Sequence, residues 1–311
     1  MADWAAGHAG LGGIRLVFGG NVFGWTLDRD RSFAVLDAFY ECGGRMIDTA
    51  EGYSAWIPGN KGGESEAIIG EWLQARGVRG DMRLGTKTGM GGPPGAYAPD
   101  KVAAALAGSL ERLRTDYVDL YYVHRDDVTA SLADIVAVFD GLAATGLARE
   151  LGVSNMTADR LTEANAIAAR HGKRGFTVCQ PQYNLVWRGD YEGALQQACV
   201  AQGVAALPYY GLASGFLTGK FGSEADWHGS TRAVALKGFA DNGGWRTLEA
   251  MRAVAAETGA TLAAIALAWL NSRPGVAAPL ASATSPAQVR EICAGATLTL
   301  TPGQLAVLET A

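Results

Sequence analysis

Short apolar segments alternate along this chain with longer stretches in which apolar residues recur every three or four positions. Eight short segments predict β-strands: residues 14–20, 45–50, 82–87, 118–124, 148–154, 176–182, 204–210 and 275–281. The longer stretches predict helices, because residues with that spacing share one face of a helix. Residues 65–77 and 100–116 show this spacing most clearly.

The alternation of strands and helices predicts a parallel sheet covered by helices, and eight repeats are the number in a (β/α)8 barrel. A doubly wound open sheet is the alternative α/β fold. That fold typically carries G-x-G-x-x-G directly after its first strand, and the segment FGGNVFGW at 18–25 does not match it. We therefore predict a (β/α)8 TIM barrel that forms a single domain over residues 1–311.

One stretch, residues 222–245, is rich in glycine and polar residues and predicts an irregular loop. Loops of this length within compact domains are often lids over active sites. We expect either a lid over cofactor and substrate or a mobile surface insertion.

Composition narrows the class of protein. Of 311 residues, 49% are hydrophobic and 18% are charged, which favours a large core and argues against disorder. The formal net charge of −5 does not favour a nucleic-acid binder, which needs a clustered basic surface. No run of about 18 apolar residues predicts a membrane span, and the N-terminal residues do not resemble a signal peptide. We predict a cytoplasmic protein.

The cysteines do not form a metal-binding or disulfide motif. They are scattered along the chain, at Cys42, Cys179, Cys199 and Cys293. This spacing predicts reduced, buried thiols, as expected in a reducing cytosol.

Four polar residues lie where predicted strands end. Asp48 ends the second strand and Tyr53 lies in the loop after it, while Lys87 ends the third strand and His124 the fourth. In a barrel of this kind the chemistry lies at the C-terminal ends of the strands. A buried carboxylate costs several kcal/mol unless it is paired, and Lys87 on the adjacent strand can supply the cation for Asp48.

This set of side chains suits proton transfer from a phenol. An unperturbed tyrosine has a pKa near 10, and a nearby ammonium such as that of Lys87 lowers it. Asp48 would keep Lys87 protonated, and His124 offers a further hydrogen bond that could orient a carbonyl oxygen. No serine or cysteine nucleophile and no metal-ligand spacing is visible. The site therefore calls for a cofactor as the second reactant.

These residues lie in motifs that resemble the aldo-keto reductase family over nearly the whole chain. The motifs are IDTAEGYS, GTKTG, DLYYVHRDD, LGVSN, QPQYN and YYGLASGFLTGK. The resemblance implies a (β/α)8 barrel and a nicotinamide dinucleotide, with hydride transfer between nicotinamide C4 and a carbonyl carbon. It also implies that Asp48, Tyr53, Lys87 and His124 are the catalytic residues. Tyr53 would be the general acid in reduction and the general base in oxidation.

The resemblance extends to residues that would bind the cofactor. Ser154, Asn155 and Gln180 correspond to the groups that hydrogen-bond the carboxamide. Tyr209 corresponds to the aromatic residue that stacks on the nicotinamide, although taken alone it would sooner be read as a core residue. The segment along the pyrophosphate corresponds to Gly211, Leu212, Ser214, Gly215 and Lys220.

The chain departs from the family pattern near residue 284. Thr284 stands where many relatives carry an arginine that binds the 2′-phosphate of NADP, while Gln288 and Glu291 persist. An arginine fork is the strongest single feature for recognising a phosphate. Without that arginine the margin for NADP(H) over NAD(H) should be small. Because the rest of the pocket keeps the family pattern, we predict that NADP(H) is preferred and that NAD(H) is also accepted.

Four large aromatic residues are candidates for the mouth of a substrate pocket, and each could instead be core packing. They are Trp25, Trp56, Tyr122 and Trp187. Trp56 belongs to residues 54–63, a longer link than is usual in the family.

Two functions remain open at this point. The first is an NAD(P)(H)-dependent oxidoreductase acting on a small-molecule carbonyl or secondary alcohol, such as an aldehyde, ketone or sugar. The second is a cofactor-loaded regulatory subunit with little turnover. We expect no nucleic-acid, membrane or metal partner, and the sequence does not determine the substrate, reaction direction or oligomeric state.

Overall fold

Eight short parallel strands form the sheet at the centre of the molecule. The computed structural model describes residues 12–91 and 95–310. The strands are β1 (Val17–Gly19), β2 (Met46–Asp48), β3 (Arg83–Thr88), β4 (Val118–Val123), β5 (Ala148–Ser154), β6 (Val178–Gln180), β7 (Ala205–Ala206) and β8 (Leu280–Ala281). Each falls within or within one residue of a predicted segment, so all eight predicted strands are confirmed.

Helices follow the strands and surround the sheet. They are α1 (Arg29–Glu41), α2 (Glu64–Arg76), α3 (Pro99–Leu113), α4 (Leu132–Ala144), α5 (Ala158–Arg170), α6 (Ala194–Gln202), α7 (Ala233–Phe239), α8 (Trp245–Thr258), α9 (Leu262–Asn271), α10 (Pro286–Thr297) and α11 (Pro302–Glu309). Several begin after a side chain that accepts a hydrogen bond from a free backbone N–H of the first turn. Asp28 does this for α1, Thr157 for α5 and Ser285 for α10.

The sheet closes on itself. The strand order is β7-β6-β5-β4-β3-β2-β1-β8, and every pairing is parallel. The segment that leads into β8 also pairs with β7, because the Ala206 N–H donates to the Gly275 carbonyl (2.8 Å) and the Ala277 N–H to the Ala206 carbonyl (2.9 Å). This contact joins the two edges of the sheet, and the predicted (β/α)8 barrel is confirmed.

Side chains fill the barrel interior. This inner core comprises Val17, Met46, Leu120, Tyr122, Val178, Ala205, Leu207, Ala277, Ala278 and Leu280. Tyr122 is fully buried, and a β-carbon added at Gly152 on the adjacent strand would lie 2.5 Å from its ring. Glycine at 152 therefore makes room for the ring. The suggestion that Tyr122 lines the pocket mouth was wrong, because its position on β4 points the side chain into the barrel below the strand ends.

Residues 222–245 are folded rather than irregular, which corrects the sequence prediction. They form a 3₁₀ turn at Glu224–Trp227, helix α7 and a π-helical turn at Ala240–Gly244. The segment buries Trp227, Leu236 and Phe239. Trp227 and Trp245 stack with ring centroids 5.8 Å apart. These few apolar anchors outweigh the polar, glycine-rich composition, while a lid role for the segment stays a prediction.

Within the described ranges, no single helix is long and apolar enough to cross a membrane. Only the pair Ala233–Thr258 and Leu262–Asn271 passes that test together, and the two are bent by 97°. All residues of Leu262–Asn271 except the partly exposed Leu262 are buried in this fold.

Candidate active site

The ammonium of Lys87 is the centre of the site at the C-terminal ends of the strands. Lys87 and Asp48 are both fully buried and form an ion pair. The Lys87 Nζ also donates to the Thr49 carbonyl oxygen (2.7 Å) and to the Tyr53 hydroxyl oxygen (3.1 Å). An ammonium has three donors, so all of them are used. Lys87 is thus the partner of Asp48 in the structure, as the sequence predicted.

The second carboxylate oxygen of Asp48 is also bonded. Gln180, the last residue of β6, donates its Nε2 to Asp48 Oδ2 at 3.0 Å. Space for that oxygen comes from Gly85 on β3, since a β-carbon there would lie 3.2 Å from it. The carboxylate is thus held from two sides and cannot rotate away from Lys87.

Electrostatics set the protonation states of Lys87 and Tyr53. Burial alone would lower the pKa of Lys87, but the Asp48 carboxylate and the Tyr53 hydroxyl together raise it. Burial raises the pKa of Tyr53, and the Lys87 ammonium opposes this without overcoming it. The expectation of a lowered tyrosine pKa was therefore wrong for the protein alone, and Tyr53 is a protonated phenol at neutral pH.

His124 lies beside the phenol as a neutral imidazole. Its ring centroid is 5.9 Å from that of Tyr53. Burial first, and then the charges of Lys87 and Arg125, lower the pKa of His124 to about 3. The His124 Nδ1 is buried and has no hydrogen-bond partner among the described residues. The ring can therefore hydrogen-bond a reactant without adding charge.

The ends of β5, β6 and β7 bring a polar network to the same face. Asn155 Nδ2 donates to the His124 carbonyl (3.0 Å) and to Ser154 Oγ (3.1 Å), and Tyr209 donates its hydroxyl to Asn155 Oδ1 (2.9 Å). Ser154 donates to the Gln180 carbonyl (2.8 Å). All four side chains that the sequence assigned to the nicotinamide are thus brought together next to the predicted catalytic residues.

The turn after β7 has an unusual backbone. Tyr210, Ala213 and Ser214 have φ angles of 58°, 47° and 57°, which side chains other than glycine rarely adopt. Backbone strain of this kind persists mainly at functional sites, and successive N–H groups in such turns form anion-binding concavities. The turn contains the residues that the sequence assigned to the pyrophosphate: Gly211, Leu212, Ser214 and Gly215.

One cation lies against this turn, and a second lies near the first. A β-carbon added at Gly215 would lie 3.1 Å from Lys220 Nζ, so the ammonium sits against the turn backbone. The Arg232 guanidinium lies 4.9 Å from the Trp25 ring centroid. Neither cation pairs with a carboxylate in the described part of the chain, and burial lowers the pKa of each. Sequence reasoning missed Arg232, which is the one arginine of residues 222–245.

The start of α10 carries no positive charge at position 284. The Gln288 Oε1 accepts hydrogen bonds from the Thr284 N–H (2.8 Å) and hydroxyl (3.0 Å), and Glu291 is exposed one turn further on. Lys237, another cation that could bind a phosphate, forms an ion pair with Asp241 at 2.9 Å.

Aromatic rings line one side of the opening. The ring centroids of Trp25 and Trp56 are 5.7 Å apart, and those of Tyr53 and Trp56 are 6.1 Å apart. Trp56 is 41% exposed. Trp187 instead packs against Phe239 of α7 and donates its indole N–H to Asp190 at 2.7 Å. Of the predicted pocket residues, Trp56 therefore lies next to Tyr53, and Trp25 packs on the ring of Trp56.

Comparison with known proteins places this chain in a family. The model of the Aldo/keto reductase family matches residues 15–311. Norsolorinic acid reductase B of Aspergillus parasiticus is 35% identical over 61% of this chain, a region that spans only 50% of that reductase. The aryl-alcohol dehydrogenase [NADP(+)] of Phanerodontia chrysosporium is 31% identical over 80% of this chain and 67% of its own length. The probable voltage-gated potassium channel subunit beta of Oryza sativa subsp. japonica is 31% identical over 92% of this chain and 88% of its own length.

Replacing Lys87 by methionine should destabilise the fold, because it leaves the Asp48 carboxylate buried without its cation. Breaking a buried pair in this way costs about 3–5 kcal/mol of unfolding free energy. Denaturant unfolding of Lys87→Met measures the loss. The control is Lys61→Met at an exposed lysine, which should change stability by no more than about 0.5 kcal/mol. Equal stability of the two variants would contradict the role assigned to the ion pair.

Proposed function

Because the chain belongs to the aldo/keto reductase family, we propose that it is an NAD(P)(H)-dependent oxidoreductase. It would transfer a hydride between nicotinamide C4 and the carbon of a carbonyl or secondary alcohol, with Tyr53 as general acid or base. The observation that carries the proposal is the fully bonded Lys87 ammonium, which joins the buried Asp48 carboxylate to the Tyr53 hydroxyl. A cytoplasmic location stays a prediction.

The residues present fit a nicotinamide dinucleotide. Asn155, Ser154 and Gln180 supply the donors and acceptors that an amide needs, and Tyr209 supplies an adjacent aromatic ring. The left-handed turn, together with the cations of Lys220 and Arg232, suits a pyrophosphate. When bound, the cofactor supplies or accepts the hydride.

In reduction, the Tyr53 hydroxyl would donate its proton to the substrate oxygen. The resulting phenolate would be stabilised by the Lys87 ammonium 3.1 Å away, whose own charge is fixed by Asp48. His124, held neutral by its low pKa, would hydrogen-bond the same oxygen and orient it. In oxidation the phenolate form would act as the base.

The aromatic surface favours a planar substrate. Trp56 packs against Tyr53 and Trp25 packs against Trp56, and offset or edge-on ring contacts favour aromatic over aliphatic groups. The name of the aryl-alcohol dehydrogenase relative supports the same choice. We propose aromatic aldehydes and ketones as the first substrates to test, ahead of aliphatic carbonyls and sugars.

A regulatory subunit that holds the cofactor with little turnover is the second candidate. The match to a potassium channel beta subunit over 92% of this chain favours it. A panel of aldehydes, ketones and alcohols, assayed in both directions with both cofactors, separates the two. Saturable turnover supports the enzyme, and cofactor binding without turnover on the whole panel supports the subunit.

Changing Tyr53 to phenylalanine should remove most of kcat and leave cofactor binding nearly unchanged, since only the proton-exchanging hydroxyl is lost. General acid–base catalysis typically contributes about 10²–10⁴-fold. Steady-state kinetics and cofactor titration by fluorescence measure the two effects. The matched control is Tyr117→Phe at the opposite end of the barrel, which should keep wild-type kcat. More than half of wild-type kcat in Tyr53→Phe, with chemistry rate-limiting, would refute the assignment.

The pH dependence of reduction should reflect a protonated phenol and a neutral histidine. Reduction needs the Tyr53 proton, so kcat/KM falls as pH rises through the pKa of Tyr53, which burial places above its usual value of 10. His124, with a pKa of about 3, stays neutral and contributes no break between pH 5 and 8. A pH–rate profile with its midpoint between pH 6 and 8 would contradict both statements.

Introducing an arginine at position 284 should strengthen NADP(H) binding. The wild-type protein offers only neutral hydrogen bonds there, so we expect it to use both cofactors with a modest preference for NADP(H). Thr284→Arg should tighten NADP(H) by about 1–3 kcal/mol and leave NAD(H) nearly unchanged. Titration calorimetry with both cofactors measures this.

The control for that variant is Ala294→Arg, which adds the same charge at an exposed position further along α10. It should not change the ratio of the two affinities. A wild-type preference above about a thousandfold for either cofactor would show that another residue decides the selectivity.

A further inference from the structure

Two cysteines meet at the N-terminal face of the barrel, the end opposite the candidate active site. Cys42 directly follows α1, and Cys293 lies on α10, which packs against α1. Both line one surface cavity of about 560 Å³. Cys42 is exposed and Cys293 partly exposed, so the sequence prediction of buried thiols was wrong for this pair. Solvent and small oxidants can therefore reach Cys42.

The two thiols share one cavity, Cys42 at the end of α1 and Cys293 on α10, and these helices pack together. Burial first, and then the neighbouring Cys42 thiol, raise the pKa of Cys293 to about 12. Cys179 and Cys199 form a second neighbouring pair, and the Cys199 thiol and burial raise the pKa of Cys179. That second pair is buried. Of the two pairs, only Cys42 and Cys293 combine proximity with access from solvent.

We propose that Cys42 and Cys293 form a redox-active dithiol, which hydrogen peroxide converts into a disulfide joining α1 to α10. The Cys42 thiolate attacks one peroxide oxygen, the O–O bond breaks, and hydroxide leaves to give a sulfenic acid. The Cys293 sulfur then attacks the Cys42 sulfur, the S–O bond breaks, and water leaves. Two thiols and one peroxide give one disulfide and two waters, and a small thiol reductant reverses the change.

The surroundings assign the two roles. Cys42 is the attacking thiol because it is the exposed member of the pair. Cys293 is the resolving thiol. The Cys42 thiol contributes to the raised pKa of Cys293, and this contribution is lost once Cys42 has become a neutral sulfenic acid. The charged side chains that line the same cavity are Arg15, Arg45, Arg83 and Asp81. Three cations against one carboxylate give this cavity a positively charged lining.

The experiment uses the full chain and hydrogen peroxide in slight excess, followed by alkylation of free thiols and peptide mass mapping without reduction. We expect two of the four thiols to be lost, and one linked peptide to join Cys42 to Cys293. The oxidised protein should show a higher Tm, because the bridge closes a long loop, and a dithiol reductant should restore the original Tm.

Variants separate the steps. Cys293→Ser should stop at a Cys42 sulfenic acid that a dimedone probe traps, and Cys42→Ser should lose no thiol at Cys293. The control is Cys199→Ala, which removes a buried thiol and should still form the Cys42–Cys293 bridge.

Three results would overturn the proposal: a bridge between Cys179 and Cys199 alone, wild-type Cys42 oxidised without a bridge, or linkage only between two chains. None of these readouts depends on turnover, so the proposal stands or falls independently of the catalytic one.

Discussion

The Lys87 ammonium is the constraint on which the rest of the site depends. A fully buried charge is tolerated only when its hydrogen bonds are complete, and here one carboxylate, one carbonyl and one hydroxyl complete them. Each partner comes from a different part of the β2 region: the strand end, the residue after it and the following turn. The need to satisfy one cation therefore fixes the path of residues 48–53 and brings the Tyr53 hydroxyl to the barrel mouth.

The site divides into two electrostatic regions. Around Tyr53, the charges of Lys87 and Asp48 cancel, and His124 is neutral. Beyond β7, the cations of Lys220 and Arg232 have no carboxylate partner among the described residues. A site without net charge around Tyr53 suits the proposed transfer of a proton and a hydride. The positively charged region beyond β7 suits an anionic cofactor.

The sequence predicted the strands because each is a distinct apolar run. It predicted the Asp48–Lys87 pair because two adjacent runs end in opposite charges, and a buried carboxylate needs a cation. It could not predict the pKa of Tyr53, because burial and a nearby cation act in opposite directions and only the structure gives their balance. It also misjudged residues 222–245, where three buried apolar side chains outweigh a polar composition. The side-chain alternation of β4 was readable from the sequence, but the depth of Tyr122 within the barrel was not.

That depth has a consequence for how the site exchanges protons with solvent. The Tyr122 ring, admitted by Gly152, forms a dry floor beneath Lys87, whose Nζ lies 5.6 Å from the ring centroid. The interior side chains of this layer are buried and packed together, so solvent could reach the Tyr53 hydroxyl from below only if they moved. If Tyr53 transfers its proton as proposed, we expect its hydroxyl to be reprotonated from the side on which the exposed Trp56 lies. Product release and reprotonation of Tyr53 would then use the same side of the site. In each cycle the product would have to leave before the phenol is reprotonated.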